Sequence, residues 1–220
     1  MKELAILAMG VTLAGAVATL VISTPQAYSA EKEPRFPQLK VEQLNDQQRQ
    51  VADEILKVSS VGISGPYNPL LRSPILADRV FKLLDYLRFN TSVPRKLNEF
   101  AILIQARLWT SQIEWYSHYP LAIKAGLSES VAADLKEGKR PASMQPDEAL
   151  VYDLCMEIST KHSVSDATFK RARDLFSEQQ VVDLVMVSGT YVSIAMLANT
   201  AEEGVPAGKT PPFQSPPSGQ

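Results

Sequence analysis

Apolar positions along this chain recur at three- and four-residue spacing through most of its length, the period of helices buried on one side. In "NDQQRQVADEILKV", Asn45 with Gln48 three positions on makes a capping-box start, and Val51, Ile55 and Val58 continue the stripe. Residues 62–71, "GISGPYNPLL", carry too much Gly and Pro for a helix and read as a loop. Ser73-Pro74 opens the next helix, with Pro at the first helical position and Ile75, Leu76, Val80, Leu83, Leu84 and Leu87 as its apolar stripe. "RKLNEFAILIQARLW" predicts an amphipathic helix buried along Leu97, Ala101, Ile104 and Leu108, broken at Thr110-Ser111. The pattern resumes through "QIEWYSHYPLAIKAG", and Gly126 closes it as a C-cap.

Four more helices are expected: a short one from Ser128 to Gly138, one opened by Pro146, one by Ser165-Asp166, and a long apolar one from Ser177 through Ala198. "SESVAADL" at 128–135 and "SEQQVVDL" at 177–184 echo one another, as any two capped amphipathic helices would. No strand pattern interrupts the series, so the expected fold class is an all-α bundle of about eight helices with short connections, spanning 41–202.

The two ends differ from this body. Residues 1–30 hold Lys2 and then an apolar block, Leu4–Ile22, that ends at Ser23-Thr24-Pro25 before Ala27-Tyr28-Ser29. The small residues fit signal-peptide cleavage after Ser29 or Ala30, which places the body outside the cytoplasm. The block is also nearly long enough for an uncleaved membrane anchor, the alternative reading. Residues 31–40 form a polar lead-in, and 203–220 are so rich in Pro and Gly that they predict a disordered tail.

Net charge is −2 and no basic run is interleaved with aromatics, so nucleic acid is not an expected partner. Cys155 is the one cysteine, which excludes an internal disulfide and a multi-thiolate zinc site; between Leu154 and Met156 it reads as a small core hydrophobe. His162, near a helix end, reads as a complement to the helix dipole.

Candidate chemistry concentrates in "SQIEWYSHYP", residues 111–120, where Glu114 and His118 stand four apart on one helical face. A carboxylate beside an imidazole favours its protonated form and fixes its orientation, as a general base requires. Glu99, fifteen residues before Glu114, would lie about 22 Å away on one straight helix, so it can join them only if the chain folds back at Thr110-Ser111. The alternative is purely structural: Ser111 to Glu114 is also a capping-box spacing. One histidine with carboxylates makes a poor zinc set, and no metal is expected.

"LNEFAILIQARLWTSQIEWYSHYPLAIKAGLSESVAADL" resembles the carboxymuconolactone decarboxylase family, which includes the alkylhydroperoxidase D-like proteins. "GPYNPLLRSPILADRV", "MQPDEALVYDLCMEI" and "VSDATF" extend the likeness over about residues 40–200. The resemblance implies an all-α bundle of that type, assembly into trimers or hexamers, and a Glu–break–His site matched here by Glu99, Glu114 and His118. The family's peroxidase branch carries Cys-x-x-Cys-x-x-x-His. Ser111 and Glu114 stand where those cysteines would be, and neither can form a sulfenate or a disulfide. The decarboxylase-like branch has Glu-x-x-x-His, as here, and moves protons on lactones or enolisable acids without a cofactor.

The resemblance therefore implies His118 as general acid/base, Glu114 as its orienting partner and Glu99 as a second carboxylate. The Gly65–Asn68 loop, Trp109, Ser111, Trp115 and Tyr116 are candidates to line a pocket for a small-molecule substrate, and core packing is the alternative for the aromatics. A peroxidase-type antioxidant and a non-enzymatic binding or assembly protein on the same fold are the competing readings.

Overall fold

The computed structural model describes residues 34–59 and 62–213, so the export segment expected at 1–30 and residues 214–220 lie outside the described residues. Helices begin where short polar residues cap them. Helix α1 (Asp46–Val58) starts on the Asn45/Gln48 capping box, and α3 (Pro74–Asp85) follows Ser73 with Pro at its first position. The segment read as a loop contains one helical turn, α2 (Tyr67–Leu70). Beyond it come α4 (Arg95–Leu108), α5 (Gln112–Lys124) and α6 (Glu129–Lys136). Helices α7 (Pro146–Lys161), α8 (Asp166–Leu175) and α9 (Glu178–Ala201) complete the order. Among the described residues there is no strand, and the all-α expectation holds.

Helix α4 is the axis of the bundle. It packs against α5, α7 and α9, and every residue from Leu97 to Ala106 is buried. The expected one-sided stripe is therefore corrected: α4 is covered on all sides, and Leu108 emerges at its exposed end. This explains how Asn98, Glu99 and Gln105 come to lie in the core, since a polar side chain on a surrounded helix has no solvent face. The stripe expected on α3 is corrected as well. Ala77, Leu84 and Leu87 are buried, whereas Ile75 is 72% and Leu76 52% exposed.

Both polar ends pack more than their composition suggests. In the lead-in, Arg35 pairs with Glu202 at 2.8 Å, and Leu39 exchanges two backbone hydrogen bonds with the Asn68 side chain. In the tail, Phe213 is buried edge-on against Trp115, and its backbone exchanges two hydrogen bonds with Gln112. Residues 203–213 are thus ordered on the body, contrary to the expected disorder, because a single aromatic finds a cleft that Pro and Gly content does not reveal.

Candidate active site

The fold-back on which the site depends is present. After α4, Trp109 caps the helix and Thr110 takes a left-handed conformation, φ 50°. Thr110 N–H donates to the Arg107 carbonyl and Ser111 N–H to that of Ala106, a Schellman closure. Glycine normally occupies this position, and a β-branched residue there is strained. Ser111 then begins α5, but its hydroxyl makes no capping bond: it is fully buried and has no hydrogen-bond partner among the described residues.

The reversal brings together Glu99 of α4 and His118 of α5, nineteen positions apart. His118 Nδ1 lies 2.7 Å from Glu99 Oε2, both side chains being buried. The expected partner was Glu114, and this is corrected. Nδ1 serves one carboxylate, and the ring leans toward α4 and stands edge-on to Tyr191 of α9, 5.0 Å between centroids. With Nδ1–H donating to the carboxylate, Nε2 is the unprotonated nitrogen of the neutral ring, the tautomer a base needs. Arg95 Nε reaches the other oxygen of Glu99 at a longer 3.8 Å.

Glu114 is a different kind of carboxyl. It is 3% exposed, neither oxygen has a hydrogen-bond partner among the described residues, and it ties back no helix start. Burial pushes its pKa well above the usual carboxylate range, which favours the protonated form. Burial likewise pushes the Tyr191 phenol upward. The site therefore pairs an imidazole with one carboxylate and sets beside it a carboxyl biased toward its protonated form.

Glu114 and His118 line a cavity of about 90 Å³, walled by Val58 of α1, Pro66 and Tyr67, Leu84 and Arg88, and Tyr191 and Ile194. That volume holds several waters or a small organic molecule. The expected Gly65–Asn68 loop reaches the cavity through Pro66 and Tyr67, whereas the other expected lining residues fall elsewhere. Asn68 is buried and spent on the Leu39 backbone, and Ser111 sits in the core. Trp115 stacks on Tyr119 and meets Phe213 edge-on, while Trp109 is exposed at the end of α4. Neither Tyr116 nor Trp109 is among the cavity walls. Sequence reasoning missed Arg88 and Tyr191, which come from two distant segments; only their polar character inside apolar patterns could have signalled them.

Cys155 is 1% exposed, and burial pushes its thiol up to about 12. It takes part in a core cluster with Gln105 and Ser188 and does not line the cavity. Among the described residues no three His, Cys, Asp or Glu side chains gather as a metal-ligand set.

The all-α arrangement of helices around the central α4 defines a class of fold. It is the fold of the alkylhydroperoxidase AhpD core. The chain is similar to an uncharacterized peroxidase-related protein from Ralstonia eutropha JMP134 with that core, at TM-score 0.67 and 17% identity over 79% of this chain and 93% of that one. It is also similar to an uncharacterized peroxidase-related protein from Silicibacter sp. TM1040, at TM-score 0.63 and 13% identity over 78% of this chain and 92% of that one. No protein-family model and no curated protein matches the chain.

Proposed function

We propose that this protein is a cofactor-independent enzyme of the carboxymuconolactone decarboxylase type, moving protons on a small lactone or enolisable carboxylic acid outside the cytoplasm. The observation that carries the reading is the buried Glu99–His118 pair beside a partnerless Glu114 carboxyl on one cavity. His118 Nε2 takes the proton from the carbon next to a carbonyl. The electron pair of that C–H bond moves to the carbonyl oxygen, where neutral Glu114 donates a hydrogen bond to the developing enolate. Glu99 holds the ring and stabilises the imidazolium. Return of the proton to another carbon isomerises the substrate. In decarboxylation the C–CO2− bond breaks in place of the C–H bond, and its electron pair moves to the carbonyl oxygen as carbon dioxide leaves. Protonated His118 then gives its proton to the carbon.

A second reading is a peroxidase, favoured by the peroxidase-related description of both similar structures. Against it, the one thiol is buried and strongly disfavoured as a thiolate. The test offers the full chain a panel of small lactones and enolisable acids, and separately an alkyl hydroperoxide. Turnover within the panel that His118→Ala abolishes supports the proposal; peroxide reduction lost in Cys155→Ser overturns it. The export part rests on the Ala27-Tyr28-Ser29 pattern. N-terminal sequencing from the native host should find Ala30 or Glu31, whereas an intact Met1 on a cytosolic protein contradicts export.

A further inference from the structure

One wall of the cavity is a cation, Arg88, that makes no ion pair among the described residues. Arg88 Nε is buried and has no hydrogen-bond partner among the described residues, and no ion pair reaches the guanidinium. Its guanidinium lies over the ring of its neighbour Phe89, 4.8 Å from the centroid. The two carboxyls of the site do not neutralise it. Glu99 is engaged with His118, and the raised Glu114 carboxyl reflects burial with no cation offsetting it.

The backbone around Arg88 is held in place for this. Tyr86–Asn90 forms a π-helical turn, whose extra residue re-aims the side chains that follow α3, and such turns gather at functional sites. The flanks are tied down on both sides. Tyr86 Oη donates to Asp183 of α9 at 3.2 Å, and the Leu87 carbonyl accepts from Asn98 Nδ2 of α4 at 2.9 Å. A guanidinium on so fixed a turn is pre-organised, and its planar fork suits a carboxylate better than a point cation does. A recess sharing the Leu121 wall with the cavity is lined by Arg95 and Lys124, two further cations on a chain whose net charge is −2.

We propose that Arg88 is the anion anchor of this cavity, binding the carboxylate of a small organic acid that Arg95 and Lys124 draw in through the adjoining recess. This rests on reading the cavity as the substrate site. It narrows the substrate to one that enters as an anion, with the carboxylate on Arg88 and the reacting carbon toward His118.

The test compares butyrate with butyramide, which has the same shape and no charge, by ligand-observed NMR titration of the full chain at neutral pH. Butyrate should bind at least about tenfold more tightly, the scale of a charge-assisted hydrogen bond. Arg88→Gln should weaken butyrate by about tenfold and butyramide by less than about twofold. Arg88→Lys, which keeps the charge and loses the fork, should fall between, and it serves where the Gln variant melts early. Arg95→Gln and Lys124→Gln should mainly flatten the salt dependence of binding. Equal affinity for acid and amide, no butyrate binding, or an acid preference that survives Arg88→Gln overturns the proposal. Arg88-dependent binding that is tighter for inorganic phosphate than for butyrate overturns its organic-acid part. The titration reads binding alone and needs no turnover. Arg88-dependent binding without turnover therefore fails only the catalytic reading, and turnover without that binding fails only the anchor.

Discussion

Replacing Glu114 with Gln keeps the side-chain shape and removes the ionisable proton on which its role as an acid depends. In the wild-type chain this carboxyl is buried with neither oxygen hydrogen-bonded among the described residues, and burial alone raises its pKa well above the ordinary value. Between the unfolded value of about 4.3 and the raised folded one, the folded chain keeps a proton that the unfolded chain has released. The stability tied to this group is thus fully present below the unfolded value and falls as pH rises toward the folded one. The slope approaches about 1.4 kcal/mol per pH unit. The Gln variant lacks that slope, while every other carboxylate titrates alike in both proteins. Urea denaturation at pH 5, 6 and 7 should therefore show the variant gaining on wild type as pH rises, by at most about 1.4 kcal/mol per pH unit. Parallel pH profiles would mean that Glu114 is ionised in the folded chain, and the neutral-acid role would be lost.

Thr110→Gly should raise stability by about 0.5–1 kcal/mol in thermal melts, the left-handed strain it relieves less the chain entropy of glycine; a loss would mean the Thr110 side chain is needed at the break. His118→Ala should cost about 3 kcal/mol, because it strands the buried Glu99 carboxylate, and His118→Gln should recover part of it by donating to that oxygen; an unperturbed Ala variant contradicts the pairing. We further propose a symmetric trimer or hexamer. Half of the most apolar stretch of α9 is buried in its own subunit, while Val182, Val185, Met186 and Met196 stay exposed on it. Light scattering should give a multiple of the monomer mass that Met186→Glu reduces, and a monomer at micromolar concentration refutes this.

Local chemistry made much of the fold legible. Asn45, Ser128, Ser165 and Ser177 each accept a hydrogen bond from a backbone N–H near the start of their helix, and Pro74 and Pro146 sit at first helical positions. These signals act over three or four residues, so a sequence displays them. Partner choice acts across helices and was not visible. The spacing of Glu114 and His118 allowed a bond, but the ring turned to Glu99, whose position depends on how α5 folds along α4. The break itself was legible at Thr110-Ser111. That it closes through a left-handed threonine, with Ser111 buried and uncapping, was not, because glycine is the expected signal there. Arg88 was hidden for a similar reason, since the helical period read through Leu87 gives no sign of a π-helical turn. Phe213 was hidden because composition describes a segment on average and one buried ring decides whether it packs.

Proton transfer at His118 is the centre of this account, and wash-in of solvent deuterium measures that step without requiring the complete reaction. The wild-type chain, incubated in deuterium oxide with small enolisable acids and lactones, should place deuterium on the carbon next to the carbonyl of at least one of them, read by mass spectrometry. His118→Ala should abolish the exchange. Glu99→Gln, which loosens control of the ring tautomer, should slow it by about 10²–10⁴-fold, and Cys155→Ser should leave it unchanged. Exchange that ignores Glu99 and His118, or none with any acid or lactone, would contradict the assignment of this site to proton transfer.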